Sequence, residues 1–177
     1  WNVEKIRGLG LTYQQCQGFI HGEARMIGPL VKYYRATGYA PALKLAVLMK
    51  DKAVAEFYLD DGDYTAERFI TRHSHSITCV MSSLAQLADL LHDAPLLERV
   101  KRFYDNGLWK LRDELGWSPE AVFQTGTDHG ELNNSGDILE TALILGRWGY
   151  PQYYHDAERM LRGHILPAQL RDVSFIE

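Results

Sequence analysis

Three histidines recur along the chain at an interval of 54 residues: His21, His75 and His129. Imidazole titrates at a pKa of about 6.5, so it can exchange protons near neutral pH. A constant interval predicts equivalent positions in a repeated structural unit. We therefore expect the three rings to lie around one rim of the molecule, where they could bind a substrate or move protons.

Carboxylates accompany these histidines in two polar clusters. Glu23 lies in His-Gly-Glu-Ala-Arg at 21–25, and Glu131 lies in Asp-His-Gly-Glu-Leu-Asn-Asn at 128–134. Two carboxylates across a scissile bond can hydrolyse a glycoside by general acid and base catalysis. We predict Glu131 and Glu23 as catalytic residues and Asp137 as a further carboxylate of the rim. The predicted substrate-binding residues are His21, Arg25, His73, His75, Trp117, Asp128, His129, Asn133 and Asn134.

The same residue types also suit structural roles. Asp, Ser and Asn often cap helices, so Asn134 or Asp137 could serve only to start one. His73 and His75 would diverge on a helix, and a metal site there would need extended backbone. Because spacing fixes no third ligand, we predict neither a metal site nor a cofactor.

The elements that position these residues are helices, because apolar residues follow the i, i+3, i+4, i+7 spacing and no alternating strand pattern occurs. Glycine, aspartate and proline punctuate short breaks that can join antiparallel helices. The breaks fall at 37–41, 92–95 and 148–151. They predict three αα-hairpins, at about 19–59, 75–115 and 134–166. Two longer polar loops, at 60–74 and 116–133, separate the hairpins.

These hairpins repeat with a period close to the 54-residue histidine interval. Six hairpins of this kind form an (α/α)6 toroid, and three supply about half of one. We therefore predict an all-α fold in which 1–177 is a single domain and part of a larger barrel. The remaining half of the toroid would come from the same longer chain. The alternative is an irregular six-helix bundle that is complete in itself.

Composition excludes other classes of protein. The 177 residues carry 19 Lys+Arg against 23 Asp+Glu, and a net charge of −4 argues against a nucleic-acid partner. No apolar run approaches the 18 residues of a membrane span, so we expect no membrane partner. Cys16 and Cys79 form no paired motif and predict two free, buried thiols. On the sixth helix, Asp156 and its charged neighbours predict solvated contacts.

Two segments resemble a known group of enzymes. Ile20-His-Gly-Glu-Ala-Arg, running through to Gly38, resembles the early hairpin of six-hairpin glycosidases. Gly130-Glu-Leu-Asn-Asn-Ser-Gly-Asp, followed by Tyr-Tyr-His-Asp-Ala-Glu-Arg at 153–159, is similar to bacterial β-L-arabinofuranosidases of glycoside hydrolase family 127 and their uncharacterised relatives. The resemblance implies an (α/α)6 barrel that acts on glycans. That family has a Glu-x-Cys element and a Cys pair for zinc, but here Asn133 replaces the cysteine. Only Glu131 is carried over, as a rim carboxylate.

The sequence therefore favours a carbohydrate-active enzyme, a glycoside hydrolase with a glycan or oligosaccharide as substrate. One alternative is a polysaccharide lyase on a similar toroid, with His or Tyr as base and Arg or Asn to neutralise a uronate. The other alternative is a non-catalytic helical scaffold or binding domain, in which the rim clusters only cap helices.

Overall fold

The computed structural model describes residues 18–122, 130–172 and 174, and its regular elements there are helical. The all-α prediction is confirmed for this part of the chain. The elements are α1 (Gly18–His21), a 3-10 helix (Ala24–Met26), α2 (Ile27–Thr37), α3 (Ala40–Glu56), α4 (Ala66–Phe69), α5 (Ser74–Leu91), α6 (Ala94–Asp105), a second 3-10 helix (Gly107–Lys110), α7 (Leu132–Arg147), α8 (Gln152–Met160) and a π-helical turn (Leu161–Ile165).

The three predicted hairpins are present as α2–α3, α5–α6 and α7–α8. Gly38 ends α2 in the left-handed conformation with φ of 70°, and a proline lies in the first turn of α3. The carboxylate of Asp93 accepts a hydrogen bond from the backbone N–H of Leu96 and caps α6. The predicted second hairpin is too long, because α6 ends at Asp105 and a separate 3-10 helix follows.

The first helices of the hairpins form one layer. Helix α5 lies in its centre and packs against both α2 and α7, while α3, α6 and α8 each pack against their own first helix. Residues such as Ile77, Met81, Leu84 and Leu87 are therefore fully buried on α5. Each such side chain stabilises the fold by about 1.5–3 kcal/mol, so α5 is the main anchor of the core.

The two long loops meet at the N-terminal ends of α5 and α7. The backbone N–H of Ser74 donates to the carbonyl of Glu120 at 2.9 Å, and that of Val122 donates to Arg72 at 2.7 Å. Isolated bridges also pair His73 with Ala121 and Pro119 with Gly130. The loops therefore fix where both inner helices begin.

One expectation about the outer helices is wrong. Asp156 on α8 is not solvated: it is buried against the guanidinium of Arg112, which comes from the loop after α6. Helical spacing identified neighbours along α8 but could not reveal a partner 44 residues away.

The helices between residues 18 and 122 and after residue 130 include none that is both long enough and apolar enough to cross a membrane.

Candidate active site

A groove of about 460 Å³ lies between α2 and α7, with α5 contributing residues from the middle of the layer. Helical spacing puts residues 75, 79, 82 and 86 on one side of α5, which explains how an otherwise apolar helix contributes a polar stripe. The side chains that give the groove its character are His21, Arg25, Lys32, Cys79, Ser82, Gln86, Asp137 and Glu140. They are mostly hydrogen-bonding groups, so the groove suits a polar ligand.

Asp137 is the carboxyl group whose pKa is raised most clearly in this groove. Burial raises its pKa to about 7, and the nearby charge of Glu140 acts in the same direction. The hydroxyl of Thr78 donates to Asp137 Oδ2 at 3.0 Å and opposes the shift, as do the charges of Arg25 and Lys32. A carboxyl group with this pKa still holds its proton in part at neutral pH, which suits it to act as an acid.

His75, in the first turn of α5, connects Asp137 to Arg25. Its Nε2 lies 3.5 Å from Asp137 Oδ2, and Arg25 Nη2 donates to its Nδ1 at 3.2 Å. Because a guanidinium can only donate, Nδ1 must accept and the ring carries its proton on Nε2. Burial and then the Arg25 charge lower the pKa of His75, so the ring is neutral at neutral pH.

A second set of groups forms a chain at the rim. Glu131 Oε2 lies 3.2 Å from His73 Nε2, and His73 Nδ1 lies 2.7 Å from Ser76 Oγ. Ser76 Oγ is also 3.1 Å from Nδ1 of His21. The approach of Glu131 is not in line with the ring N–H, so this first contact is an electrostatic pairing rather than a regular hydrogen bond. The structure brings four of the predicted residues, His21, His73, His75 and Glu131, close together at this end of the layer.

Backbone conformation explains how the two loop histidines approach each other. His73 precedes α5 with extended dihedrals, φ −73° and ψ 106°, and His75 is already in the helix. The hydroxyl of Thr71 accepts the backbone N–H of His73 at 3.1 Å and holds that turn. The rings of His73 and His75 are consequently 5.9 Å apart between centroids rather than diverging.

Glu140 belongs to the deeper part of the groove, one helical turn after Asp137. Its Oε2 accepts hydrogen bonds from Ser82 at 2.7 Å and from Gln86 at 2.9 Å. Lys32 lies 4.0 Å from its other oxygen. These contacts fix the carboxylate against α5.

The other predicted residues have different surroundings. Glu23 is half-buried in the turn before the first 3-10 helix and does not line the groove. The indole of Trp117 packs closely on Gly130, so that a Cβ added at Gly130 would lie 2.3 Å from the indole Nε1.

The two predicted asparagines of α7 differ in exposure. Asn134 is fully buried and donates to Ser118 Oγ at 3.0 Å. Asn133 is exposed and lines a neighbouring depression that His75 and Asp137 also border. Asp128 and His129 lie outside the described residues.

Two sets of side chains bring possible metal ligands within 4.8 Å of one another: His73, His75 and Glu131, and His75, Cys79 and Asp137. Both sets need His75, and Arg25 already occupies its Nδ1 while Nε2 carries the proton. A cation would have to displace Arg25 before His75 could bind it. As arranged here, the cluster is a network of polar contacts in which the imidazole of His75 is neutral.

No protein family, curated protein or solved structure matches the chain.

Sequence reasoning gave too little weight to Asp137 and missed Ser76. The sequence does indicate a polar stripe on α5, because Cys79, Ser82 and Gln86 recur at helical spacing on an otherwise apolar helix. The role of Ser76 had no signal of its own, because a serine in the first turn of a helix is commonplace.

Proposed function

We propose that the chain is part of a carbohydrate-active enzyme, a glycoside hydrolase whose active site is the groove between α2 and α7. The observation that carries this proposal is the position of Asp137, a largely buried carboxyl group with a pKa of about 7 in a groove lined by hydrogen-bonding side chains. Glycosidases need one carboxyl group that keeps its proton near neutral pH.

In this mechanism Asp137 donates its proton to the glycosidic oxygen as the bond to the anomeric carbon breaks. Arg25 offers guanidinium donors for sugar hydroxyls, whereas the donors of Ser82 and Gln86 are bonded to the carboxylate of Glu140. Asp137 takes the acid role for which the sequence suggested Glu131 and Glu23. Glu131 instead contacts His73, and Glu23 lies off the groove.

We further propose that the hairpins are about half of an (α/α)6 toroid. Support comes from the single layer formed by α2, α5 and α7, and from the loops that gather at the N-terminal ends of α5 and α7. The remaining hairpins of a longer chain would then close the groove from the other side. The resemblance to family 127 glycosidases agrees with this arrangement.

A polysaccharide lyase is the second candidate, and Arg25 favours it. Within the described part of the chain, no carboxylate oxygen lies within 4.0 Å of its guanidinium, which instead contacts His75 and the thiol of Cys79. A uronate carboxylate could be neutralised there while a base removes the adjacent proton.

A screen of the full-length protein against neutral glycosides and polyuronates tests both candidates. A hydrolase releases reducing sugars, whereas a lyase releases unsaturated products that absorb in the ultraviolet. We expect Asp137→Asn to lower hydrolysis by about 10²–10⁴-fold. Asp51→Asn, on the exposed side of α3, should leave hydrolysis unchanged. Full activity of Asp137→Asn, or cleavage of no substrate, would contradict the hydrolase proposal and favour a non-catalytic domain.

A further inference from the structure

We infer that His21 is the general base of this groove, and that Glu131, Ser76 and His73 are positioning residues that keep its Nε2 free of a proton. The inference rests on the proposed function, because it supplies the partner that the acid Asp137 would need. It changes the role of His21 from substrate binding to proton transfer.

Glu131 influences which nitrogen of His73 carries the proton. Oε2 of the Glu131 carboxylate lies 3.2 Å from Nε2 of His73, outside regular hydrogen-bond geometry, and its negative charge favours the neutral-ring tautomer that carries the N–H on Nε2. In the neutral ring the other nitrogen, Nδ1, is then an acceptor. The opposite tautomer would direct the lone pair of Nε2 at a negative charge and is disfavoured.

The hydrogen bonds of the Ser76 hydroxyl connect the tautomer of His73 to that of His21. This hydroxyl has one proton, which it donates to His73 Nδ1 at 2.7 Å. Its oxygen is then the acceptor for the second imidazole, at 3.1 Å from His21 Nδ1. His21 must therefore carry its proton on Nδ1, and its Nε2 keeps a lone pair. Ser76 itself is fully buried, so its hydroxyl acts as a relay and not as a nucleophile.

The position of His21 allows that lone pair to be used. The ring lines both the groove that holds Asp137 and the depression beside it that Arg72 and Glu120 border. Since its Nδ1 edge faces Ser76, the Nε2 edge is the one left for a ligand, and no described residue hydrogen-bonds to it.

The charges around His21 also keep it neutral. Burial is the main cause that lowers its pKa, and the charge of Arg25, from the first 3-10 helix, acts in the same direction. The nearest negative group in the chain of contacts is Glu131, which faces His73 rather than His21. An imidazole that resists protonation in this way is available as a base at neutral pH.

The proton transfers of the hydrolysis step balance. His21 Nε2 takes a proton from water as the water oxygen bonds to the anomeric carbon. The glycosidic C–O bond breaks, and its electron pair takes the proton of Asp137. Afterwards His21 releases its extra proton to solvent and Asp137 regains one, so the enzyme returns to its starting state.

Nitrogen-15 NMR of the histidines in the full-length protein tests the relay without any substrate. We expect His21 to be protonated on Nδ1 and bare on Nε2. Ser76→Ala removes the acceptor, so the His21 Nδ1–H signal should be lost in favour of the Nε2–H tautomer. Ser74→Ala is the matched control, because this serine is equally buried and its hydroxyl has no hydrogen-bond partner among the described residues. A proton on His21 Nε2 in the wild type, or an unchanged spectrum in Ser76→Ala, would overturn the relay.

Kinetics tests the base separately. His21→Gln should lower kcat by about 10²–10⁴-fold with little change in KM. Glu131→Gln, which keeps the size of the side chain, should lower kcat less and shift the acidic limb of the pH profile. If Asp137 proves essential while His21→Gln stays active, the assignment of the base is wrong and the proposed function stands. If no glycan is cleaved, the proposed function fails, and the base assignment with it, although the spectrum still decides the tautomer.

Discussion

Arg112 and Asp156 form a buried ion pair that joins the loop after α6 to α8. Nη2 of Arg112 donates to Asp156 Oδ2 at 2.8 Å, and the side chain of Arg112 is 1% exposed. The hydroxyl of Tyr104 donates to the same carboxylate oxygen, and the guanidinium lies 4.3 Å from the ring centroid of Trp109. The pair therefore ties the second hairpin to the third on the outer side of the molecule.

We expect Arg112→Met to lower the free energy of unfolding by about 2–4 kcal/mol, because it leaves the buried carboxylate of Asp156 with only the half-exposed Arg159, at 3.9 Å, as a charged partner. Arg162→Met is the matched control, since Arg162 pairs with Glu158 on the surface and both side chains are more than half exposed. Its loss should cost about 1 kcal/mol or less. Denaturation with urea measures both, and equal losses would contradict the structural role given to Arg112.

Asp137 should make stability depend on pH in the direction opposite to that of most carboxylates. The folded chain holds this proton up to a pH of about 7, whereas the unfolded chain releases it near pH 4. Stability from this group is thus greatest at low pH and falls as pH rises between these values. Relative to Asp137→Asn, the wild type should lose about 2–4 kcal/mol between pH 4 and pH 8. Unfolding curves at several pH values check this, and a constant difference would show that the carboxyl group is not shifted.

Substituting Arg25 and Lys32 one at a time distinguishes the effect of each cation on the pKa values of the groove. The charge of Arg25 lowers the pKa of Asp137, His75 and His21, so Arg25→Met should raise all three. Lys32 lowers the pKa of Asp137 alone among these groups, so Lys32→Met should raise only that one. NMR titration of the carboxyl carbon and the imidazoles distinguishes the two variants. Identical effects on His75 would mean that Arg25 does not contact the ring as described.

Gly107 lies where two backbone segments cross. A Cβ at this position would come within 2.7 Å of the backbone nitrogen of Tyr64 and 2.8 Å of the carbonyl oxygen of Gly62. Neither atom can turn aside as a side chain would, so we expect Gly107→Ala to cost about 1–3 kcal/mol. Gly136→Ala is the control, because nothing lies within 4 Å of its added Cβ on α7. It should stabilise the chain by up to about 1 kcal/mol, and thermal melts that rank the two variants the other way would refute this assignment.

The helical hairpins could be predicted because their determinants are local. Apolar spacing located α5 and α7, and a glycine, an aspartate and prolines marked the turns at Gly38 and Asp93. The end of the second hairpin was misplaced because the apolar pattern continues through Leu108 and Leu111, which are buried from a 3-10 helix and the turn after it rather than from α6.

For the candidate site, the sequence could predict which residues lie near one another but not which contacts they make. The repeat interval predicted that His21, His75 and His129 would share a rim. In the structure the rings of His21 and His75 both lie beside His73, and His129 lies outside the described residues. The sequence could not show that Asp137 is the buried carboxyl group, because its environment comes from α5 and α2. It also could not show how Ser76 links two rings, since that depends on loop backbone and not on residue type.

The contact between Ser76 and His21 joins positions 55 residues apart in the chain. Contacts of such long sequence separation form late, after the local helices that carry them. During refolding, the helical circular dichroism signal should therefore appear before His21 acquires its proton on Nδ1. A chain with formed helices but undocked hairpins would show the tautomer balance of free imidazoles. Proton transfer in this protein would then emerge with the last step of assembly, so the recovery of activity would follow docking of the hairpins and not the growth of their helices.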